Sequence, residues 1–296
     1  VSVVPTAACC SVVMMSEVST AYVWVNGQWQ GKSHRQAQSH WPSNDRALHY
    51  GDGLFETIRF APDGSIPLWP YHKQRLLQGL CALDFPIDSL QRIEQALAQR
   101  PQGPLLAGKL LISRGAGPRG YAPPAEPELL LQWQEFTPPD WGYLRLPQGM
   151  VAGFSDIRLA IQPALAGFKH LNRLEQVLAR QRFEPDWQEA VMLDAQGQVI
   201  EGCMSNLFLL ENGQLVTPDL SGSGVNGVVR RWLLAHQNVI ITPFGRERLL
   251  AADAVFFCNT LQGIVMVSRI DGRQFEHPAA QHQIATLQKD LENLYA

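Results

Sequence analysis

The chain has 296 residues, with 24 Lys+Arg against 27 Asp+Glu and a formal net charge of -3, which suggests two domains whose core needs no metal or disulfide staple. A near-balanced charge without a basic block argues against a nucleic-acid partner, and the 46% hydrophobic share excludes disorder, collagen-like repeats and coiled coil. No run of 18 apolar residues is present to span a membrane.

Charged residues make up only 17% of the chain, against about 25% in an average globular protein, which points to extra buried surface such as a subunit interface. The cysteines are Cys9, Cys10, Cys81, Cys203 and Cys258. Five cysteines without a C-x-x-C spacing fit neither a disulfide framework nor a zinc site, so a reducing, cytoplasmic setting is expected. The first Lys or Arg is Lys32, whereas a signal peptide begins with basic residues. Residues 1–20 therefore read as an extension outside the folded unit, with initiation expected at Met14 or Met15.

The folded part is expected to begin at Ala21. YVWVNGQWQ alternates about Asn26-Gly27, a hairpin signal because both central residues need positive φ. A polar, irregular stretch runs to Arg46. Gly51 and Gly53 then mark a turn, and Leu54 to Phe60 reads as a strand. WPYHKQRLLQGLCAL has helical spacing and stops before Pro86; SLQRIEQALAQR is a second amphipathic helix, with Ser89 as its expected N-cap. GKLLISR and ELLLQWQEF read as strands around a Gly/Pro-rich loop, and Thr137 to Pro147 is the candidate linker.

Beyond the linker, HLNRLEQVLARQRFE places Leu171, Leu174, Val177 and Leu178 on one helical face. AVMLD, VIEGCMS and NLFLLENGQLVTP form a strand meander, and SGSGVNG opens the helix VVRRWLLAHQ. AVFFCNT is a buried strand and QHQIATLQKDLENLY a terminal helix. The fold class is α/β (α+β), with a small domain over 21–138 and a larger one over 139–296.

Three features carry chemistry. GAGPRG, Gly115 to Gly120, matches the dinucleotide fingerprint G-x-G-x-x-G, but Pro118, Pro123, Pro124 and Pro127 forbid the helix that motif must open. A loop carrying Arg114, Arg119 and Tyr121 remains, suited to an anion or to plain solvent exposure. Lys169 follows the apolar ALAGF, a setting that disfavours the ammonium and lowers its pKa as Schiff-base chemistry requires; a surface lysine at a helix start is the competing reading. Glu201 lies in a strand between Ile200 and Gly202, where a carboxylate costs several kcal/mol unless a cation faces it or the strand face is solvated. A phosphate could be cupped by the amides of Asn226, Gly227 and Val228 at a helix start, by Arg75, and by the short side chains of Asn259 and Thr260.

Taken together, AGFKHLNRLEQVLAR and GDGLFE, with RGAGPRGY, EGCMSNLF, GVNGVVR and CNTL in that order along the chain, resemble the motifs of fold-type IV pyridoxal-phosphate enzymes of the 4-amino-4-deoxychorismate lyase branch. The resemblance runs from about Tyr22 to the C-terminus. GDGxFE and E-G-x-x-S-N are shared with branched-chain and D-amino-acid aminotransferases, which form the alternative assignment; KHLNRLEQVLAR is specific to the lyase branch. The resemblance implies a two-domain architecture whose larger domain holds a pseudo-barrel sheet. It implies that Lys169 holds pyridoxal 5'-phosphate through an imine and that Glu201 pairs with the ring nitrogen. Arg75, the amides of Gly227 and Val228, and Thr260 would hold the phosphate, with Asn226 and Asn259 beside them, while Arg119 and Tyr121 would meet a substrate carboxylate, with Arg59 or Arg114 open as helpers. The implied substrate is 4-amino-4-deoxychorismate and the implied assembly a homodimer. Two positions depart from the pattern: Glu56 stands where a lyase relative has threonine, and Val229 where some aminotransferases carry a phosphate-binding threonine.

Overall fold

A computed structural model describes residues 18–25, 28–32, 42–101, 106–125 and 127–296. The elements before the second sheet are β1 (Val18–Val25), β2 (Gln28–Lys32), α1 (Arg46–Tyr50), β3 (Gly53–Arg59), α2 (Trp69–Ala82), α3 (Ser89–Ala98), β4 (Ala107–Ser113), β5 (Leu130–Phe136) and α4 (Gly142–Arg145). There follow β6 (Met150–Leu159), α5 (Leu174–Gln181), β7 (Glu189–Asp194), β8 (Val199–Gly202), β9 (Asn206–Glu211) and β10 (Gln214–Thr217). The chain ends with α6 (Val228–His236), β11 (Val239–Ile241), α7 (Arg246–Ala251), β12 (Ala254–Asn259), β13 (Gly263–Ile270), β14 (Arg273–Gln274) and α8 (Pro278–Asn293).

The first sheet has five antiparallel strands in the order β2-β1-β5-β4-β3. Its first hairpin pairs Trp24 with Trp29 and Val25 with Gln28; Asn26 and Gly27, the expected turn, lie outside the described residues, as do residues 1–17 of the expected extension. Strand β1 starts at Val18, three positions before the expected beginning of the folded part. One face of this sheet is covered by α2 and α3, with Leu54, Ile58, Leu76, Leu80, Ile93, Ile112 and Trp133 in a common core. The alternating burial of β3 follows from its period-two pattern. Helix α3 begins differently from expectation: Asp88 is the N-cap, and Ser89 is buried with its hydroxyl unpaired.

The second sheet is curled, with eight strands in the order β11-β10-β9-β12-β13-β6-β7-β8 and β14 beside β13. Strands β7 and β8 are buried along their whole length, which is why their sequences lack polar alternation. One face packs on α6 and α8 through Phe208, Trp232, Phe256 and Leu291, and Phe208 stacks on Phe256 with centroids 5.0 Å apart. The other face carries Val191, Leu207, Phe244, Leu249, Phe257 and Val267. Three strand pairings in this sheet are parallel: β6 with β13, β6 with β7, and β10 with β11.

Residues 137–147 are not a loose tether. Trp141 is buried, Gly142 N–H donates to the Gln262 carbonyl at 2.8 Å, and Arg59 from β3 lies over the Trp141 ring at 3.6 Å. Arg59 also donates to the carbonyls of Pro139, at 3.2 Å, and Leu261, at 2.5 Å, so it is a tie between the sheets.

Candidate active site

The lysine sits where the two sheets meet. Residues 169–171 run along the start of β3: Phe55 N–H donates to the Lys169 carbonyl at 2.9 Å, and Leu171 N–H donates to the Gly53 carbonyl at 3.0 Å. A side chain at Gly53 would overlap Leu171 and the Ile112 carbonyl, and Gly51 caps α1 with φ 65°; both glycines of GDGLFE are therefore required by close approach or by left-handed backbone. Asp52 accepts from Arg46 at 2.7 Å and from Arg114 at 2.9 Å. Arg114 also donates to the carbonyls of Leu83 and Asp84, which commits it to the scaffold. The helix after the lysine starts at Leu174, not directly after Lys169, because residues 169–171 are held in extended pairing with β3.

Lys169 is partly buried, with Nζ 4.4 Å from the centre of the Phe55 ring. Burial, together with the charges of Arg75 and Arg173, pulls its pKa down to about 7, so a neutral amine is accessible near physiological pH. Glu201 is enclosed in β8; burial pushes its pKa up to about 7 despite the Val225 N–H, Arg173 and Lys169. Its Oε2 accepts from the Val225 amide at 2.9 Å. A side chain at Gly224 would approach that carboxylate to 3.3 Å, so the glycine keeps this side of Glu201 open.

The pattern E-G-x-x-S-N resolves into struts around that carboxylate. Asn206 Nδ2 donates to the Val225 carbonyl at 2.7 Å and lies 3.5 Å from Glu201 Oε2, while its Oδ1 accepts from Gly227 N–H at 2.9 Å. Ser205 Oγ donates to Glu189 at 2.8 Å and accepts from Asn259 Nδ2 at 3.1 Å. Asn259 Oδ1 in turn accepts from the amides of Leu261, at 3.0 Å, and Gln262, at 2.8 Å. Asn259 thus braces the turn that presents Thr260, and its side chain is not itself a free ligand.

The expected phosphate cup is corrected in the same way. The Asn226 N–H donates to the Gly167 carbonyl at 3.0 Å, and its Oδ1 accepts from Arg230 at 2.9 Å. With the Gly227 amide on Asn206, neither Asn226 nor Gly227 offers a backbone donor outward. Val228 and Val229 open α6, and no side chain caps its N-terminus.

Arg75 lies on the buried stripe of α2 with His72, Leu76, Gly79 and Leu80. A side chain at Gly79 would run into Leu54 and Phe168, so α2 comes down close to the residue preceding Lys169. Glu56 holds Arg75 through Nε at 2.8 Å and a terminal nitrogen at 2.5 Å, and accepts from His72 Nδ1 at 2.7 Å. Burial alone would raise the Glu56 pKa, but Arg75 and His72 outweigh it and hold it at about 2. Burial keeps His72 below its usual pKa. A neutral imidazole whose Nδ1–H is donated leaves Nε2 as an acceptor, and that atom is buried and unpaired. Arg231 crosses from α6 to α2, donating to Gln74 at 3.0 Å and Gln78 at 2.5 Å, which fixes Arg75 relative to the opening of α6. Glu56, His72, Arg173 and Arg231 are residues around Lys169 and Arg75 that sequence reading missed in these roles; the partners of Glu56, His72 and Arg231 are 16 or more residues away in the chain.

The residues suit a phosphorylated aromatic aldehyde. A basic helix-side arginine and a free helix N-terminus answer a phosphate, an amine of lowered pKa answers an aldehyde, and a buried carboxylate answers a cationic ring nitrogen. Buried polar atoms left unpaired on His72, His170 and Arg173, all in the field of Lys169, mark the same region as one shaped for a polar occupant. No cluster of metal-ligating side chains occurs among the described residues. The other expected pair stays outside. Arg119 is exposed and Tyr121 is 86% exposed, and both sit on a loop that Arg46 pins through the carbonyls of Gly120, Tyr121 and Ala122 at 3.2, 2.7 and 3.0 Å. Within one chain that loop faces solvent, and no helix follows GAGPRG.

Comparison with known proteins agrees with this geometry. Residues 53–270 match the family Amino-transferase class IV. The chain is 36% identical over 254 residues to the aminodeoxychorismate lyase of Vibrio harveyi, covering 83% of this chain and 90% of that protein. It is 30% identical to a putative branched-chain-amino-acid aminotransferase of Methanocaldococcus jannaschii, over 85% of this chain and 88% of the relative. Among solved structures, 4-amino-4-deoxychorismate lyase from Pseudomonas aeruginosa superposes with a TM-score of 0.79 at 35% identity, covering 90% of this chain and 98% of that one. The two-sheet α/β architecture is that of fold-type IV enzymes, and the chain belongs to the class IV aminotransferase family.

Proposed function

We propose that the protein is a pyridoxal-phosphate-dependent lyase that converts 4-amino-4-deoxychorismate to 4-aminobenzoate and pyruvate. The observation that carries the reading is a lysine whose pKa is pulled down to about 7, with the buried Glu201 carboxylate and the Arg75 guanidinium in its field, on a segment that the start of α6 bonds through the Asn226 N–H and the Gly167 carbonyl. Similarity to lyases at 36% and 35% identity, against 30% for the aminotransferase relative, favours the lyase within the family.

Lys169, Glu201, Arg75, the Val228 and Val229 amides and Thr260 would hold the cofactor, which supplies an electron sink for a carbanion next to nitrogen. Arg75, clamped by Glu56, and the positive end of α6 fix the phosphate and so the orientation of everything attached to it. Glu201 is an anion when a cationic ring nitrogen replaces the solvation it has lost. Lys169, with a pKa of about 7, can take the proton from the amine-bearing ring carbon of the substrate at Nζ and return it. The ether C–O bond breaks, the proton ends on the methyl carbon of pyruvate, and the ring becomes aromatic. Substrate and the two products balance without water or a redox partner.

The exposed loop of Arg119 and Tyr121 and the apolar residues Leu174, 76% exposed, Val177 and Leu178 on α5 support a homodimer in which the loop meets a substrate carboxylate. The sequence placed these residues on one helical face. Its exposure in a single chain is what a subunit interface requires. The cytoplasmic assignment rests on the unpaired cysteines Cys81, Cys203 and Cys258; among the described residues no helix is long and apolar enough to cross a membrane.

Purified protein supplied with 4-amino-4-deoxychorismate should release 4-aminobenzoate and pyruvate without a keto-acid acceptor, and Lys169→Ala should abolish both. Transfer of an amino group from a branched-chain or D-amino acid to a keto acid, with no 4-aminobenzoate formed, would assign the chain to the aminotransferases instead.

A further inference from the structure

Arg173 sits just before α5, with Nε donating to the His170 carbonyl at 2.9 Å. One of its terminal nitrogens is fully buried and makes no hydrogen bond among the described residues. No carboxylate among those residues forms an ion pair with it. A guanidinium cannot shed its proton, so burying one without an anion is costly. An anion bound in the pocket would remove that cost.

The groups around Arg173 narrow the choice. Glu201 is its strongest charged neighbour, followed by Glu175 and Arg75, and its field also reaches Lys169. Glu175 is engaged with the Ala160 amide at 2.8 Å. His170 is neutral, because burial with Arg173 and Lys169 lowers its pKa to about 4, and it offers no competing charge. Glu201 is assigned to the ring nitrogen and Lys169 to the aldehyde carbon, while Arg75 and α6 are assigned to the phosphate. In pyridoxal phosphate the phenol oxygen lies between the aldehyde carbon and the ring nitrogen, on the arc opposite the phosphate arm. A cation associated with Glu201 and Lys169, and less with Arg75, belongs on that arc.

We propose that Arg173 is the counter-cation of the cofactor's phenolate oxygen, filling its unpaired N–H with that anion. The inference rests on the cofactor assignment of the preceding section and concerns which residue sets the protonation of the bound group. A cation beside the phenolate opposes a second positive charge at the neighbouring lysine nitrogen, so it lowers the pH at which that nitrogen loses its proton in the holoenzyme.

The test is a pH titration of the visible absorbance of the holoenzyme. In Arg173→Gln the midpoint should rise by about one pH unit or more relative to wild type, and Arg173→Lys, which keeps a cation, should lie between the two. Arg173→Met serves as a second uncharged variant should the first fail to fold. A cofactor analogue methylated at the phenol oxygen should bind wild type about tenfold or more weakly than the parent, with the ratio falling toward one in the uncharged variants. An unmoved midpoint in an uncharged variant that still carries the cofactor overturns the proposal; if substrate binding alone weakens, the guanidinium belongs to a substrate carboxylate. The cofactor assignment fails separately, if borohydride reduction of wild type attaches no cofactor mass to the Lys169 peptide.

Discussion

Replacing Lys169 by methionine should stabilise the protein when no cofactor is present, and the gain should depend on pH in a defined direction. Burial and the neighbouring Arg75 and Arg173 lower the lysine's pKa from 10.5 to about 7. At about 1.4 kcal/mol per tenfold that difference is worth roughly 5 kcal/mol. Lys169 keeps some solvent contact and is coupled to Glu201, which brings the expected figure to about 2–4 kcal/mol. Below about pH 7 the side chain is protonated in the folded and unfolded chains alike, and the folded state bears the whole penalty. Between pH 7 and 10.5 the unfolded chain binds more protons, so wild-type stability rises with pH; above 10.5 both states are neutral and the penalty is gone. Methionine has a similar reach and no charge, so Lys169→Met removes the penalty where it exists. Urea unfolding of cofactor-free wild type and variant at pH 6 and pH 10 measures the difference at each. A gain at pH 6 no larger than at pH 10 would show that the lysine is not desolvated as described, and the electrostatic account of the site would fall with it.

The other expectations concern the groups that hold the site. Glu56→Gln leaves the buried Arg75 without its anion and should cost about 3–5 kcal/mol in chemical denaturation; because Glu56 is held at about 2, its contribution is fully present above about pH 4.5 and fades as pH falls toward 2, so the gap between wild type and variant should narrow in acid. A loss below about 1 kcal/mol at pH 7 would mean that water replaces the pair. Asn206→Ala removes the bonds to the Val225 carbonyl and the Gly227 amide, costing about 1–3 kcal/mol of stability. It should weaken pyridoxal phosphate more than phosphate-free pyridoxal in equilibrium titrations, and equal weakening of the two would detach Asn206 from the phosphate cup. Burial pushes the thiols of Cys203 and Cys258 up to about 12, whereas Cys81 is exposed. A thiol reagent at pH 8 should therefore modify Cys81 well before either of the others, as followed by peptide mass; early modification of Cys258 would contradict its enclosure in β12.

Residues with local causes were legible in the chain. The helical stripe of α2, the alternation in β3 and the apolar runs of β9 and β12 appear where periodicity places them. Lys169 and Glu201 announced themselves as ionisable groups among apolar neighbours. The strands β6 and β13 went unread, since parallel partners are supplied by distant segments and leave no alternating pattern. Helix α5 was legible as a helix but not in its facing: Leu174 and Val177 have helical spacing, and spacing says only that residues share a face, not whether that face meets a core or open surface.

The amino-acid sequence by itself determined the chemistry available: a lysine and a glutamate that burial would perturb, glycines where the backbone must turn or approach closely, and a helix start without a side-chain cap. The tertiary structure alone decided which donors are free to use that chemistry. The Asn226 and Gly227 amides and the Asn259 side chain are consumed by partners up to dozens of residues away, while the start of α6 is left without a side-chain cap and a terminal nitrogen of Arg173 without a hydrogen bond among the described residues. The physical reason is that a hydrogen-bonding group is spent once, and whether it is spent within the fold or on a ligand depends on distances that no local stretch of chain specifies.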